Sequence, residues 1–271
     1  MPLPAWFAQL SPPPVRPPVR LADLAWPDIA ALPPAESVAL LPVGAIEQHG
    51  PHLPIDTDLR IAENVCLLAS ALTGAPVLPP LAYGVSVGHT EKWPGTFSLQ
   101  HRTFIDSICD IAAWLSATGW QRVLLVNGHC GNDACLRVAV DRIRSRTPLL
   151  AAVRNTWELT AEIAAAFSED ATDWHANCAE TSVMLALAPH TVHPDRLAAA
   201  DDPDRTTGCV YPHRVAHTST NGVTGQPSAA TASQGFQLLQ QMGAALAGII
   251  HQARTEAPPL AWSPAAPFPR P

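Results

Sequence analysis

The sequence predicts an α/β fold: a single domain with a largely parallel sheet flanked by helices on both faces. Strand-like apolar runs alternate with helical patterns along most of the chain. The run over 122–126 is short and wholly apolar, which is typical of a strand covered on both faces. Residues 100–118 carry apolar side chains at helical spacing, which predicts an amphipathic helix.

The remaining elements follow from the same two patterns. Predicted strands cover 37–44, 76–83, 122–126 and 149–153. Predicted helices cover 21–31, 59–72, 100–118, 134–145, 157–167, 180–186 and 231–253. Loops are expected over 84–98 and 200–230.

Proline-rich segments are predicted at both ends of this domain. Residues 1–20 contain repeated prolines, which disfavour helix, so we expect an extended arm that packs on a neighbouring subunit or is loose. The domain itself then covers 21–255, and 256–271 form a proline-rich C-terminal tail.

Composition limits the classes of function. Hydrophobic residues make up 47% of the chain and charged residues 14%, which favours a well-buried globular protein. The formal net charge is -7 and Lys92 is the only lysine, so we expect neither a nucleic-acid partner nor polybasic membrane docking. No apolar run approaches the roughly 20 residues that span a bilayer, and the N-terminus lacks a signal-peptide pattern. We therefore predict a cytoplasmic protein.

Acidic residues and histidines concentrate where predicted strands end or a helix begins. Open α/β sheets bind ligands at the carboxyl ends of their strands. Three such segments are 44–58, 127–132 and 175–182. The first two carry four ligand-type side chains, Glu47, His49, Asp58 and His129, and the third, which opens a helix, contains His175 and Glu180. Carboxylate and imidazole together suit zinc, manganese or iron. A carboxylate can also bridge two ions about 3.5–4 Å apart and hold a hydroxide between them.

Each of these residues also has a purely structural explanation when it is taken alone. Asp56 and Asp58 could cap the helix that begins near Leu59, and for Asp56 we prefer that interpretation. Glu180 could be an acidic residue favoured by the dipole in the first turn of its helix. Physical reasoning from the residues therefore leaves both a metal hydrolase and a structural role open.

The motifs resemble those of the creatininase (creatinine amidohydrolase) family. LPVGAIEQHGPHLP over 41–54, followed by Asp58, resembles its opening signature, and NGHCGN over 127–132 resembles its second motif. His175 with 180–182 is similar to the third motif, and 83–98 and 221–227 match its loops. The resemblance covers roughly 37–250 in the right order.

This resemblance implies a site with two divalent ions per chain, zinc being favoured over manganese or iron. Glu47, Asp58 and His129 would hold one ion, and His49 and Asp58 the other, with Asp58 bridging. In creatininase proper, a glutamate two residues after the second-motif histidine completes the second site. Here that position is Gly131, which puts creatinine in doubt as the substrate and makes Glu180 the natural substitute ligand.

The resemblance also implies a mechanism and an assembly. A hydroxide bridging the ions would attack a cyclic or linear amide in a small molecule. His175 would pass a proton to the leaving nitrogen or orient the site, with Glu180 as the second catalytic residue. Substrate contacts are expected from Trp93, Cys130 and Trp174. Trp93 could instead pack at a subunit interface, and Cys130 could be an inert small residue, which we favour. The family further implies a homo-oligomer, often a hexamer.

Other functions remain open at this point. Relatives in the same family act as peptidases, deformylases or sugar-ring hydrolases. A different class would be a cysteine amidohydrolase that uses Cys130 with His129. Another would be a non-catalytic binding subunit, for which the missing ligand at Gly131 is a mild indication.

Overall fold

The computed structural model describes residues 5–14, 16–257 and 259–260. Within these residues five parallel strands form one sheet in the order β1-β3-β2-β4-β5. The strands are β1 Val19–Arg20, β2 Ala39–Val43, β3 Pro76–Val77, β4 Arg122–Asn127 and β5 Leu150–Asn155. The α-helices are α1 Trp26–Ala30, α2 Thr57–Thr73, α3 His101–Ala117, α4 Asp133–Arg146, α5 Ala161–Phe167, α6 Cys178–Leu187, α7 Pro194–Leu197, α8 Val215–Thr218 and α9 Ala232–Thr255.

Helices cover both faces of the sheet, which confirms the predicted fold class. Because successive side chains of a strand point to opposite faces, β4 contributes to two separate cores. Leu124 and Val126 belong to the core that includes residues of α2, α6 and α9. Val123 and Leu125 belong to the core that includes residues of α3 and α4. The wholly apolar sequence of β4 follows from this burial on two sides.

The N-terminal segment differs from the extended arm that its prolines predict. Ala5–Gln9 form a 3₁₀ helix, and the aromatic rings of Trp6 and Phe7 are buried in the larger core. The indole N–H of Trp6 donates a hydrogen bond of 2.9 Å to Asn64 Oδ1 on α2. Two large aromatic side chains bury enough apolar surface to fix this segment despite its prolines. Further along, Val19–Arg20 complete an edge of the sheet as β1.

The second predicted strand, over 76–83, is much shorter than expected. Only Pro76–Val77 form a strand, and Leu81 adds a single bridge to Val43. Proline lacks the N–H that a sheet ladder needs, which explains the interruption. Most of the proline-rich tail predicted over 256–271 lies outside the described residues. Among the residues that are described, no helix is both long and apolar enough to cross a membrane.

Candidate metal centre

The predicted ligand segments meet at the carboxyl edge of the two central strands. β2 leads into residues 44–58, and β4 leads into 128–132. A side chain at Gly128 would place its Cβ 2.2 Å from the backbone oxygen of Asp58, so only glycine permits this approach. The close contact brings the end of β4, and with it His129, against the first turn of α2.

Asp58 lies between two of the predicted histidine ligands. Its Oδ1 is 3.2 Å from His49 Nε2, and its Oδ2 is 3.1 Å from His129 Nδ1. The side chain is almost fully buried. Each carboxylate oxygen therefore faces a different imidazole, which is the arrangement that a bridging ligand requires.

Glu47 is fully buried and faces three imidazoles. Its Oε2 lies 3.3 Å from His129 Nε2. Its Oε1 lies 3.3 Å from His89 Nδ1 and 3.6 Å from His175 Nδ1. His175 is thus at the site, as predicted, and His89 joins it although no motif assigned this histidine a specific role.

The start of α6 positions Glu180. Asn177 is the N-cap, and its side chain accepts a hydrogen bond from the Glu180 N–H. Ala176 adopts a left-handed backbone conformation with a φ of 49°, and its N–H donates to Glu180 Oε2 at 2.6 Å. The other oxygen, Oε1, lies 3.7 Å from His49 Nε2. Glu180 is therefore both an acid in the first turn of its helix and a member of the site.

The donor atoms of this cluster fit divalent cations. Both oxygens of Glu47, His49 Nε2 and Asp58 Oδ2 are buried without a hydrogen-bond partner among the described residues. Buried polar atoms of this kind are costly unless they are paired or coordinate a metal. Three sets of residues bring their ligand atoms within 4.8 Å of one another: Glu47, Asp58 and His129; His49, His175 and Glu180; Glu47, His89 and His175.

The close contacts shift the pKa values of the acidic and basic members in opposite directions. Burial lowers the pKa of His129, but the charges of Glu47 and Asp58 outweigh it and raise the value to about 9. Burial is likewise outweighed at His49, where Asp58 and Glu180 hold the pKa well above its usual range. Burial would raise the pKa of Asp58, yet the two imidazoles lower it strongly. The result is a tightly paired buried cluster.

The pKa values of the other two histidines near Glu47, His175 and His89, are lowered instead. Burial and the charge of His49 lower the pKa of His175. Burial and the charge of His175 lower the pKa of His89. Neutral imidazoles, with one lone pair each, are the forms that bind metals or accept protons.

A cavity of about 340 Å³ opens onto the cluster. Cys130 and Trp174, two of the predicted substrate contacts, line it. The Trp174 ring packs at 5.1 Å from Phe167 and 5.9 Å from Trp157, measured between ring centroids. This aromatic packing fixes the orientation of one wall of the cavity.

The third predicted substrate contact, Trp93, is not part of the cavity wall. Lys92 Nζ lies 4.7 Å from the centroid of its ring, in a cation–π contact. The same ammonium group donates a 2.9 Å hydrogen bond to the Ser219 carbonyl. These contacts hold the Trp93 segment against the loop near Ser219 rather than over the ligand cluster.

Cys130 has an unfavourable environment for a nucleophile. The residue is exposed at the cavity wall. The limited solvation of its thiol, together with the charges of Glu180 and Asp58, holds the pKa well above its usual range. A reactive thiolate needs a positive neighbourhood, so this geometry disfavours a cysteine amidohydrolase.

Other polar residues support the ligands. His52 Nε2 lies 2.8 Å from Thr181 Oγ1, which joins the first ligand segment to α6. The Asn127 side chain donates to the His129 carbonyl at 2.9 Å and accepts from the His129 N–H at 3.1 Å. Asp56 occupies the N-cap position of α2, but its carboxylate makes no capping bond and instead pairs with Arg60.

Sequence reasoning missed the part played by Gln48. Its Oε1 accepts a 3.0 Å hydrogen bond from the Gly50 N–H, which identifies that atom as the oxygen. Its Nε2 then lies 3.0 Å from His89 Nδ1 and 3.2 Å from the Gly222 carbonyl. The position of Gln48 between two predicted ligands, Glu47 and His49, was the one available signal.

The fold and the site define a class: an α/β protein with a buried carboxylate–imidazole centre at the carboxyl edge of its sheet. Residues 22–250 match the sequence model of the Creatininase family, whose description is creatinine amidohydrolase. The chain therefore belongs to the creatininase family, which confirms the resemblance seen in its motifs.

Several relatives are known hydrolases. The chain is 35% identical to a mycofactocin precursor peptide peptidase of Mycolicibacterium smegmatis, over 76% of this chain and 81% of the relative. It is 31% identical to a creatinine amidohydrolase of Pseudomonas putida, over 89% and 98%. Among solved structures, a mutant creatininase of Zn-Zn type aligns with a TM-score of 0.77 and 28% identity, covering 88% of this chain and 99% of that one. A structure named "Creatininase Mn" aligns with a TM-score of 0.75 and 26% identity, covering 88% and 100%.

Proposed function

We propose that this chain is a metal-dependent amidohydrolase that cleaves a C–N amide bond, cyclic or linear, in a small molecule. The observation that carries the proposal is the convergence of five buried ligand-type side chains at the end of one cavity: Glu47, His49, Asp58, His129 and Glu180. Four of the atoms that could bind a metal, three carboxylate oxygens and one imidazole nitrogen, have no hydrogen-bond partner among the described residues. The similar structures whose names specify zinc or manganese support the same assignment.

The arrangement of these side chains suits two ions. Glu47, Asp58 and His129 would hold one, and His49, Asp58 and Glu180 the other. Asp58 would serve both, because its two oxygens face different imidazoles at 3.2 and 3.1 Å. Zinc is the expected metal, with manganese or iron as alternatives. Bound divalent ions supply a polarised carbonyl and a water of lowered pKa.

The protein itself supplies orientation and proton transfer. Glu180 is held by the Ala176 N–H, which fixes the direction of its free oxygen. An imidazole on the cavity wall, either His175 or His89, can accept a proton from the attacking water and pass it to the leaving nitrogen. The ring centroids of these two histidines are 4.4 Å apart. The Trp174 ring provides a flat apolar wall for the substrate.

A second candidate substrate class within this chemistry is a short peptide. Relatives at 35% identity are peptidases of a precursor peptide. The second-site ligand of creatininase proper would also require a side chain at Gly131. A Cβ there would lie 2.3 Å from the Val85 carbonyl oxygen, so this backbone excludes it. Both features favour a substrate other than creatinine.

The test is hydrolysis of an amide panel by the full-length protein: creatinine, N-formyl amines and short peptides, followed by release of free amine. We expect turnover of at least one member, its loss after treatment with a chelator, and its return on addition of Zn²⁺ or Mn²⁺. Asp58→Ala should abolish turnover, whereas the nearby Asp56→Ala should retain it. Turnover that is unchanged after treatment with a chelator would contradict the proposal.

A further inference from the structure

We propose that His175 is itself a metal ligand, binding the second ion through Nδ1 together with His49 and Glu180. This inference rests on the proposed function. It adds His175 as a fourth protein donor to the set of His49, Asp58 and Glu180 proposed above for that ion. It also differs from the proton-transfer role that the sequence suggests for this histidine.

The two imidazoles nearest Asp58 share a recognisable hydrogen-bond pattern. His49 donates from Nδ1 to the Glu47 carbonyl at 3.0 Å, which leaves Nε2 facing the carboxylates. His129 donates from Nε2 to the Val85 carbonyl at 3.0 Å, which leaves Nδ1 facing Asp58. Metal-binding histidines almost always fix their orientation in this way, with one ring N–H held by a carbonyl or carboxylate.

His175 shows the same pattern. Its Nε2 lies 2.9 Å from the Gln48 carbonyl oxygen, which can only accept, and 3.2 Å from Gln48 Nε2. The two hydrogens of that amide have other acceptors in His89 Nδ1 and the Gly222 carbonyl. His175 Nε2 therefore donates to the Gln48 carbonyl, and its Nδ1 carries the lone pair. That Nδ1 lies 3.6 Å from Glu47 Oε1. The ring centroid is 4.4 Å from that of His49, and the ligand atoms of His49, His175 and Glu180 all lie within 4.8 Å of one another. One carboxylate and two imidazoles form a ligand set of the kind zinc prefers.

His89 is the natural comparison because it also faces Glu47 Oε1. Its Nδ1, however, accepts the amide N–H of Gln48 at 3.0 Å. The amide cannot be turned to release it, because Gln48 Oε1 is fixed by the Gly50 N–H. The lone pair of His89 Nδ1 is therefore occupied, whereas that of His175 is available.

Position 131 cannot contribute the ligand instead. Any side chain at Gly131 would begin 2.3 Å from the Val85 oxygen and 2.5 Å from His129 Nε2. The second set thus has His49, Asp58 and Glu180 from the predicted site, with Glu180 in place of the glutamate of creatininase proper. His175 Nδ1 would add a fourth protein donor to this set.

The experiment is a Zn²⁺ titration of metal-stripped full-length protein, read by competition with a chromophoric chelator. Wild type should bind two ions. In His175→Ala, the affinity for the more tightly bound ion should be unchanged, and the affinity for the other ion should fall at least about 10-fold. This is the lower end of the loss seen when a residue that only supports a ligand is removed. His89→Ala is the matched control and should stay close to wild type in both affinities. Equal affinities in wild type and His175→Ala, or equal losses in both variants, would overturn the proposal.

A measurement on wild type avoids any folding defect of the variants. X-ray absorption at the zinc edge of the protein with two bound ions should show three imidazole ligands in total, one on the first ion and two on the second. A count of two would overturn the assignment of His175 while leaving the metal centre intact. If wild type takes up no zinc at all, both this inference and the proposed function fail.

Discussion

Metal binding by this chain should release protons at neutral pH. The pKa of His129 is raised to about 9, so in metal-stripped protein its imidazole is protonated below that pH. The proton must leave before Nδ1 can bind an ion, because only neutral imidazole is a ligand. The pKa of His49 is also raised, by Asp58 and Glu180. We therefore expect close to two protons to be released per chain at pH 7.

The size of the effect follows from the pKa of His129. At pH 7, two units below about 9, removing its proton costs about 2.7 kcal/mol. The apparent affinity for the ion bound by His129 should therefore be about 100-fold lower at pH 7 than on the plateau reached above pH 9. The sign is fixed by the raised pKa: affinity rises with pH.

Calorimetry in buffers of different ionisation enthalpy measures the protons released directly. Asp58→Asn is a useful comparison, because it removes one of the two carboxylates that raise the pKa of His129. That variant should release fewer protons per ion bound at pH 7. An apparent affinity that is flat between pH 7 and pH 9, with no proton release in wild type, would refute the electrostatic account of the cluster.

Three further variants at the site, and one control on α9, test packing and chemistry. Gly131→Ala should lower the free energy of unfolding by about 1–3 kcal/mol, because its Cβ would lie 2.3 Å from the Val85 oxygen. Gly248→Ala on α9 is the control: its Cβ would meet nothing within 4 Å, so the substitution should instead raise the free energy of unfolding by up to about 1 kcal/mol. Both values are measured by urea unfolding. An unchanged free energy of unfolding in Gly131→Ala would contradict the steric clash inferred at that position. Asn177→Ala removes the N-cap of α6 and should cost about 1–2 kcal/mol by thermal unfolding, so an unchanged melting temperature would refute the capping role. Cys130→Ala should retain turnover in the amide assay, and its complete loss would revive the cysteine mechanism.

The main elements could be predicted from sequence because burial on two faces leaves a strong pattern. β4 is apolar at successive positions since both of its faces are covered, and α3 and α9 carry clear helical periodicity. β1 was missed because two residues within a proline-rich segment leave no pattern. The helix predicted over 157–167 begins later, with a 3₁₀ turn over Thr156–Glu158 before α5.

The site was predicted where its residues follow strands or open helices. The structure brings Glu47, Asp58 and His129 together, and it places Glu180 beside His49, in agreement with their positions at such ends. His89 ends a short 3₁₀ helix, Val87–His89, within the segment predicted as a loop, where sequence gives no direction for a side chain. The expectation that Trp93 contacts the cavity failed for the same reason: the Lys92 contacts that turn this loop depend on tertiary structure.

The tautomers of the histidines could not be predicted at all. They depend on which backbone carbonyl each ring nitrogen meets, and those of His49 and His175 belong to Glu47 and Gln48. A ligand and a proton donor therefore look alike in sequence. Their difference becomes visible only once the hydrogen bonds are known.

The most direct test of the central claim is elemental analysis of purified wild type, Asp58→Ala and Asp56→Ala, expressed as metal per chain. Asp56 is the matched control because its carboxylate pairs with Arg60 rather than with the cluster. The account predicts close to two ions in wild type and in Asp56→Ala, and a large loss in Asp58→Ala. No bound metal in wild type, and none taken up from zinc or manganese buffers, would contradict it.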